Sequence, residues 1–384
     1  MKKVKNIIAG ILYRFIVIAV KLIPAKKGKE HLLLIKPDEI GDYILFRNLL
    51  KYIRTSDRYK NYKITMIGNI AWKSIFDVYD KDTIDDGIWI NKKDFNRKLK
   101  YRFSLLKQVR LLQTSEVINC IYSRSIVLDD GFAYVAKGDN KFATERDNAN
   151  AGQNSINIDK FIYTKIVAAG NERIFDSIRN SRFLEAILGK DDLPVNSKLP
   201  YKPVGFKQPQ KAYMLFSLGA GNPERKWPIE YFVKCAEYAN SKYHIIPLLC
   251  GGVSDVMDAE KFITAYGKEV YNYVNKTSLA ELIDLLNGAV FVISVDSGPV
   301  HMAAACDCNT IGLYSGKYYK RYAPYPKEVS TNFHVVYPDF IDKLIAEQND
   351  TLFNPFVTKN NTIKLIPAEK VLPIIDEIMS NKQK

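Results

Sequence analysis

Three short segments of the 384-residue chain concentrate carboxylate, cationic, imidazole and glycine residues at the ends of apolar runs. The first is Lys36-Pro-Asp-Glu-Ile-Gly-Asp42. Gly41 permits a tight turn there, and Asp42 stands at the start of the following helix, where a carboxylate caps backbone N–H groups and can also take a proton from a ligand. Asp38 and Glu39 are two more carboxylates, and the local pattern does not choose among the three. The second segment is Leu218-Gly-Ala-Gly-Asn-Pro-Glu-Arg-Lys-Trp-Pro228. Gly219 and Ala220 let backbone approach a ligand, Arg225 and Lys226 supply positive charge, and Pro228 suits a first helical turn, so a diphosphate fits this loop. The third is Val295-Asp-Ser-Gly-Pro-Val-His-Met-Ala-Ala-Ala305. Asp296 and Ser297 can cap a helix whose remaining free N–H groups, with Gly298, favour an anion. His301 lies one turn inside that helix, and Ala303 to Ala305 let it pack closely.

The elements that must hold these loops alternate between apolar runs and helical patterns, the mark of parallel βαβ units. In a first domain, residues 31–195, strands are expected at 31–36, 63–68, 84–90 and 116–122. Helices are expected near 42–54, 71–78, 96–112, 159–169 and 174–188. Residues 139–160, rich in Asn, Asp and Lys, read as a loop or irregular excursion. Pro194, Pro200, Pro203 and Pro209 place a linker at 196–211, because proline continues neither a helix nor a central strand. A second domain, residues 212–345, has strands expected at 213–218, 244–250, 270–274, 290–294 and 310–314. Its helices are expected from Pro228, at 255–266, from the capping box Ser278-Leu-Ala-Glu281 to Gly288, and at 299–306. In a tail, residues 346–384, a last helix near 368–380 is expected to pack back on the first domain. The chain thus reads as α/β, with ligands beyond the carboxyl ends of the strands.

Composition supports two buried cores, with 47% apolar and 26% charged residues. The formal net charge is +14, and residues 1–30 hold eight Lys/Arg against Glu30 alone. This basic segment surrounds the apolar stretch 6–20, which is short for a membrane span and interrupted by Arg14. It reads as a basic amphipathic helix lying in an anionic membrane surface; packing on the protein's own core and a signal anchor are the alternatives. No aromatic-basic motif points to nucleic acid. Five cysteines form neither a CxxC pair nor a metal-ligand spacing with His, and read as reduced and structural.

Taken in order, the strand followed by Gly41-Asp42, Gly-Ala-Gly with Arg-Lys-Trp-Pro, and Asp296-Ser-Gly-x-x-His-x-Ala-Ala-Ala resemble glycosyltransferase family nine, the ADP-heptose:lipopolysaccharide heptosyltransferases, across most of residues 31–330. Ala323-Pro-Tyr325 resembles that family too. The resemblance implies a GT-B fold, two Rossmann-like doubly wound domains facing a central cleft, with residues 31–195 binding the acceptor and residues 212–345 the nucleotide sugar. It also implies a metal-independent, inverting transfer from a nucleotide-diphosphate sugar, with an ADP-sugar favoured, to a glycolipid or oligosaccharide acceptor at the cytoplasmic face of a bacterial membrane. Asp42 is then the general base. Arg225, Lys226 and the N–H groups of Ser297 and Gly298 meet the departing diphosphate, Gly219 and Ala220 line its loop, and Asp296 and His301 hold sugar or phosphate. Asp255 is the nearest acidic residue placed to contact the donor's ribose or sugar. The family usually has Lys where Arg225 stands, and Arg keeps the charge with a different donor geometry. Rival readings are a transferase or epimerase of the same architecture using another nucleotide sugar, and a non-catalytic nucleotide-sugar-binding protein. A metal-dependent alternative built on Asp80-Lys-Asp82 has its motif before a strand, not after one.

Overall fold

The computed structural model describes residues 2–147, 155–170, 173–354 and 357–382. The chain forms two compact units, one of Met1–Glu39, Leu49–Asn171 and Arg179–Pro194, the other of Ile40–Asn48, Glu172–Ile178 and Val195–Lys384. The first holds strands β1 (His31–Lys36), β2 (Lys63–Asn69), β3 (Asp86–Ile90), β4 (Glu116–Asn119), β5 (Asn140–Thr144) and β6 (Lys165–Val167) in the order β3-β2-β1-β4-β5-β6. The second holds β7 (Tyr213–Ser217), β8 (Ile246–Cys250), β9 (Tyr271–Asn272), β10 (Val292–Val295), β11 (Thr310–Leu313) and β12 (Phe333–Val336), ordered β12-β11-β10-β7-β8-β9. All the ladders are parallel. Counted within each unit, both orders are the doubly wound 3-2-1-4-5-6, whose topological switch points lie between β1 and β4 and between β7 and β10. Every residue of β1 and of β7 is buried, which explains their unbroken apolar runs: a strand covered on both faces has no polar face to alternate with.

Several expectations change. The helix expected over 42–54 is two helices, Ile40–Ile44 and Asn48–Thr55. Strand β5 lies inside the segment read as an irregular excursion, of which residues 148–154 fall outside the described residues. Its sequence Asn-Lys-Phe-Ala-Thr looks exposed, yet Lys141 is buried, with Nζ donating to the carbonyls of Ala133 and Ala136 at 2.7 and 2.8 Å near the end of helix Asp129–Val135. Burial pushes the Lys141 ammonium down to about 7. Just beyond β5, Arg146 pairs with Asp130 at 2.7 Å and with Asp159, so buried ion pairs hold this polar segment. The helix expected at 159–169 is Ser155–Ile162 followed by β6, and β12 was not anticipated. No helix or strand occupies residues 189–212, where the linker was expected.

The described residues of the tail, expected on the first domain, pack into the second unit. Ile363, Ile366, Val371, Ile375 and Ile378 join the core of the second unit with Phe216, Phe232 and Phe262. The Trp227 indole N–H donates to the Ile366 carbonyl at 2.8 Å, and the hydroxyls of Tyr238 and Tyr243 donate to Asp376. The apolar stripe at Val371, Ile375 and Ile378 therefore covers helix Ile229–Tyr243.

Candidate functional site

In the second unit, β10 ends at Val295, Asp296 and Ser297 turn the chain, and helix Gly298–Ala305 begins at the switch point. Ser297 occupies the N-cap position but does not cap with its side chain: its hydroxyl donates to the Val295 carbonyl at 3.1 Å. The first N–H groups of the helix therefore keep their capacity for an anion. Helix Ile40–Ile44 belongs to this same unit and crosses very close. A Cβ on Gly298 would stand 2.8 Å from Ile40 Cβ, and one on Gly41 would stand 2.5 Å from His301 Cδ2. Gly41 is thus required for close approach within a helix, not for the tight turn expected of it.

That approach brings Asp42 to the site. The Tyr322 hydroxyl donates to Asp42 Oδ1 at 2.7 Å, and a 2.5 Å hydrogen bond joins His301 Nδ1 to the Tyr325 hydroxyl. Burial drives His301 down to about 4 against the opposing pull of the Asp42 and Asp176 carboxylates, so the imidazole is neutral at neutral pH. Burial also raises the Tyr322 phenol well above its usual value, which keeps it a donor to Asp42. The other two carboxylates of the first motif are engaged elsewhere: Asp38 takes the Lys36 ammonium at 2.6 Å, and Glu39 pairs with Lys92. Of the three, Asp42 is the one that belongs to the same unit as His301.

The basic loop divides its two cations. After β7, Asn222 caps a short turn by accepting from the Glu224 N–H at 3.0 Å, which sets Arg225 toward β10. Arg225 Nη1 donates to the Asp296 carbonyl at 3.0 Å and lies 3.6 Å from its Oδ2. Burial raises the Asp296 carboxyl while the guanidinium opposes the rise. Arg225 Nε is buried and has no hydrogen-bond partner among the described residues. Lys226 turns the other way, to Asp258 at 2.5 Å and Asp255 at 3.5 Å. Burial works against its charge, but these carboxylates outweigh it and raise its pKa. Asp255 is buried, accepts from the Gly252 N–H at 2.9 Å, and sits so near Gly219 that a Cβ there would meet Oδ2 at 2.1 Å. Gly219 therefore lets the loop cross Asp255, and Asp255 supports the loop together with Lys226. Ala220 is half-buried beside the same core.

The structure thus gathers Asp42, Arg225, Asp296, Ser297, Gly298 and His301 around one switch point, with Gly219, Ala220, Lys226 and Asp255 behind the neighbouring loop. Tyr322 was not anticipated, nor was Arg321, whose Nε pairs with Asp176 at 3.2 Å and fixes the same turn. The Ala323-Pro-Tyr325 signal had marked that turn without assigning its residues roles.

Residues 191–340 match the model of glycosyltransferase family 9 (heptosyltransferase). The chain is similar to the lipopolysaccharide core heptosyltransferase OpsX of Haemophilus influenzae, 28% identical over 167 residues, which are 43% of this chain and 47% of that protein. The chain thus spans about half the length of that curated relative. Among solved structures it is similar to a glycosyl transferase family 9 protein from Veillonella parvula, with TM-score 0.67 and 16% identity over 93% of this chain and 100% of that one. It is also similar to the E. coli ADP-heptose lps heptosyltransferase II, with TM-score 0.63 and 14% identity over 92% of this chain and 100% of that one. At these identities the structural likeness carries the fold, which is GT-B.

Proposed function

We propose, for a chain that carries a glycosyltransferase family 9 domain on a GT-B fold, that it is an inverting glycosyltransferase moving a heptose-like sugar from an ADP-sugar to a lipopolysaccharide or other envelope glycan acceptor. The observation that carries this reading is the Asp42 carboxylate held by Tyr322 in the same compact unit as the Arg225 and Asp296 pair and the start of helix Gly298–Ala305. Asp42 takes the acceptor hydroxyl's proton while that oxygen attacks the anomeric carbon from the face opposite the nucleotide. One carboxylate serves a single displacement, because no glycosyl-enzyme intermediate calls for a second. Arg225 and the N–H groups of Ser297 and Gly298 stabilise the charge gathering on the departing diphosphate, the part a divalent cation plays in other transferases. Neutral His301 and Asp296 position sugar and phosphate through hydrogen bonds. The names of the similar proteins, heptosyltransferases of lipopolysaccharide assembly, support ADP-heptose as the first donor to try.

The test is a thermal-shift screen of ADP-, UDP-, GDP- and CDP-sugars, followed by a transfer assay in EDTA with the stabilising donor. A ligand at one hundred times its dissociation constant should add about 2.7 kcal/mol of stability. The reading expects the ADP-sugar alone to stabilise and transfer to proceed in EDTA with inverted anomeric configuration. Stabilisation by another nucleotide class would reassign the donor, and binding without transfer across a broad acceptor panel would leave a non-catalytic binding protein.

The reading includes a peripheral position at the inner face of the plasma membrane. Among the described residues no helix is long and apolar enough to cross a membrane. In helix Lys2–Leu22, Tyr13, Val17 and Val20 pack into the core of the first unit, while Phe15 (67% exposed), Ile18 (55%) and Leu22 (76%) face outward. Side chains 1–11 lie outside the described residues. An outward apolar face beside exposed Arg14, Lys26, Lys27 and Lys29 suits an anionic lipid surface. Because the inner face is core, deleting the helix would uncover the fold; the discriminating variant is Phe15→Gln/Ile18→Gln/Leu22→Gln. Wild type should float with phosphatidylglycerol vesicles and less so at high salt, and the triple variant should stay in solution. Equal flotation of the two would end the membrane assignment.

A further inference from the structure

A cavity of about 490 Å3 opens within the second unit, away from the diphosphate loops. Its lining includes Arg173, Tyr319, Lys320, Asn349, Asp350 and Phe353. Tyr319 and Lys320 belong to the connection leaving the carboxyl end of β11, and Asn349 to Phe353 follow helix Asp339–Ala346, which leaves the carboxyl end of β12. The cavity therefore lies by the β11–β12 edge of the sheet, whereas Gly219, Arg225 and Asp255 follow β7 and β8 toward the other edge.

The lining has the chemistry of a saccharide site with an anionic substituent. The Arg173 guanidinium lies 4.0 Å over the Phe353 ring and 3.2 Å from Asp350, and the Tyr319 and Phe353 rings stand 6.2 Å apart. Aromatic faces take the C–H faces of a sugar ring, and Asn349 and Asp350 can bond its hydroxyls. Besides the Arg173 and Asp350 pair, Lys320 brings an ammonium to the lining, which favours a phosphate or carboxylate on that sugar. Lys320 holds a left-handed backbone at φ 65, closed by its N–H donating to the Ala323 carbonyl at 2.6 Å. Such a conformation is costly for a residue other than Gly, and it fixes Lys320 in the turn that presents Tyr322 to Asp42. Two residues of chain span at most about 7 Å, so the cavity wall and the holder of the base belong to one turn.

The geometry points to a second glycan subsite: this cavity takes an anionic sugar of the acceptor, neighbouring the sugar whose hydroxyl Asp42 activates. The assignment rests on the acceptor reading given above. The probe is N-acetylglucosamine 1-phosphate, with N-acetylglucosamine as uncharged control, followed by saturation-transfer NMR in excess ADP. The comparison variant is Arg173→Gln/Lys320→Asn, two solvent-facing changes of which Asn tolerates the left-handed backbone. Saturation of the phosphorylated sugar should persist under ADP, exceed that of the neutral sugar, and weaken about tenfold in the variant, as loss of a charge-assisted hydrogen bond implies. Loss of the signal on adding ADP, an equal signal in the variant, or no signal would overturn the subsite. In the transfer assay the variant should raise the acceptor KM about tenfold and leave the ADP-sugar KM unchanged. An unchanged acceptor KM would overturn the acceptor assignment and leave a site for free sugar phosphates. Failure of the donor reading shows separately, as wild type that does not bind ADP.

Discussion

Asp42→Asn should lower kcat by about 10²- to 10⁴-fold, the range for loss of a general base, while leaving ADP-sugar binding unchanged. The substitution is nearly isosteric, and the amide oxygen still accepts from the Tyr322 hydroxyl, so the turn and the helix pair around Gly41 keep their packing. What disappears is the group that can take a proton. His301, Asp296 and Asp176 are poor replacements: burial drives His301 down to about 4, and its Nδ1 is already bonded to Tyr325, while Asp296 faces the Arg225 guanidinium and Asp176 pairs with Arg321. The experiment compares single-turnover transfer and ADP affinity in wild type and variant. A fall in kcat of less than about tenfold would remove Asp42 from the role of base.

The residues gathered at this candidate site were legible because of where they stand in the topology. Strands β1, β7 and β10 are buried throughout, so each shows as an apolar run, and the loop after each carries one of the three motifs. In a doubly wound sheet the first and fourth strands flank the switch point, and β7 and β10 are those strands of the second unit. The contact between Tyr322 and Asp42 was not legible, since it links residues 280 positions apart and depends on how a turn after β11 is set. Strand β5 was hidden by Asn140 and Lys141, whose polarity is satisfied by partners that only the fold supplies, Glu116 for one and the Ala133 and Ala136 carbonyls for the other. The tail illustrates a different limit. Its apolar spacing specifies that helix Leu372–Lys382 has a face to bury, and spacing contains nothing about which core receives it; Trp227, Tyr238 and Tyr243 decide that. Lys226 shows the same limit for charge: its type matched a phosphate ligand, and Asp258, 32 residues away, claims it.

That division of the two cations sets the last expectation. Arg225→Ala should weaken ADP-sugar binding and lower kcat by about 10²- to 10³-fold, the range for removing one donor aimed at developing charge. Lys226 cannot move in to replace it without leaving Asp255, which lies against Gly219, and Asp258, which would keep only the longer pairing with Lys261 at 3.8 Å. Lys226→Ala should therefore act chiefly on stability of the loop, with donor binding and kcat changed far less than by Arg225→Ala. Arg225→Lys separates charge from geometry. It restores a cation but replaces the forked donor, of which Nη1 is bonded to the Asp296 carbonyl and Nε has no hydrogen-bond partner among the described residues, by a single ammonium, so rescue should be partial. Measured as ADP affinity and kcat across the three variants, a loss that is greatest in Arg225→Ala, intermediate in Arg225→Lys and least in Lys226→Ala supports the assignment. Equal losses from the two alanine substitutions would return both cations to the diphosphate and contradict the pairing that binds Lys226 to Asp258.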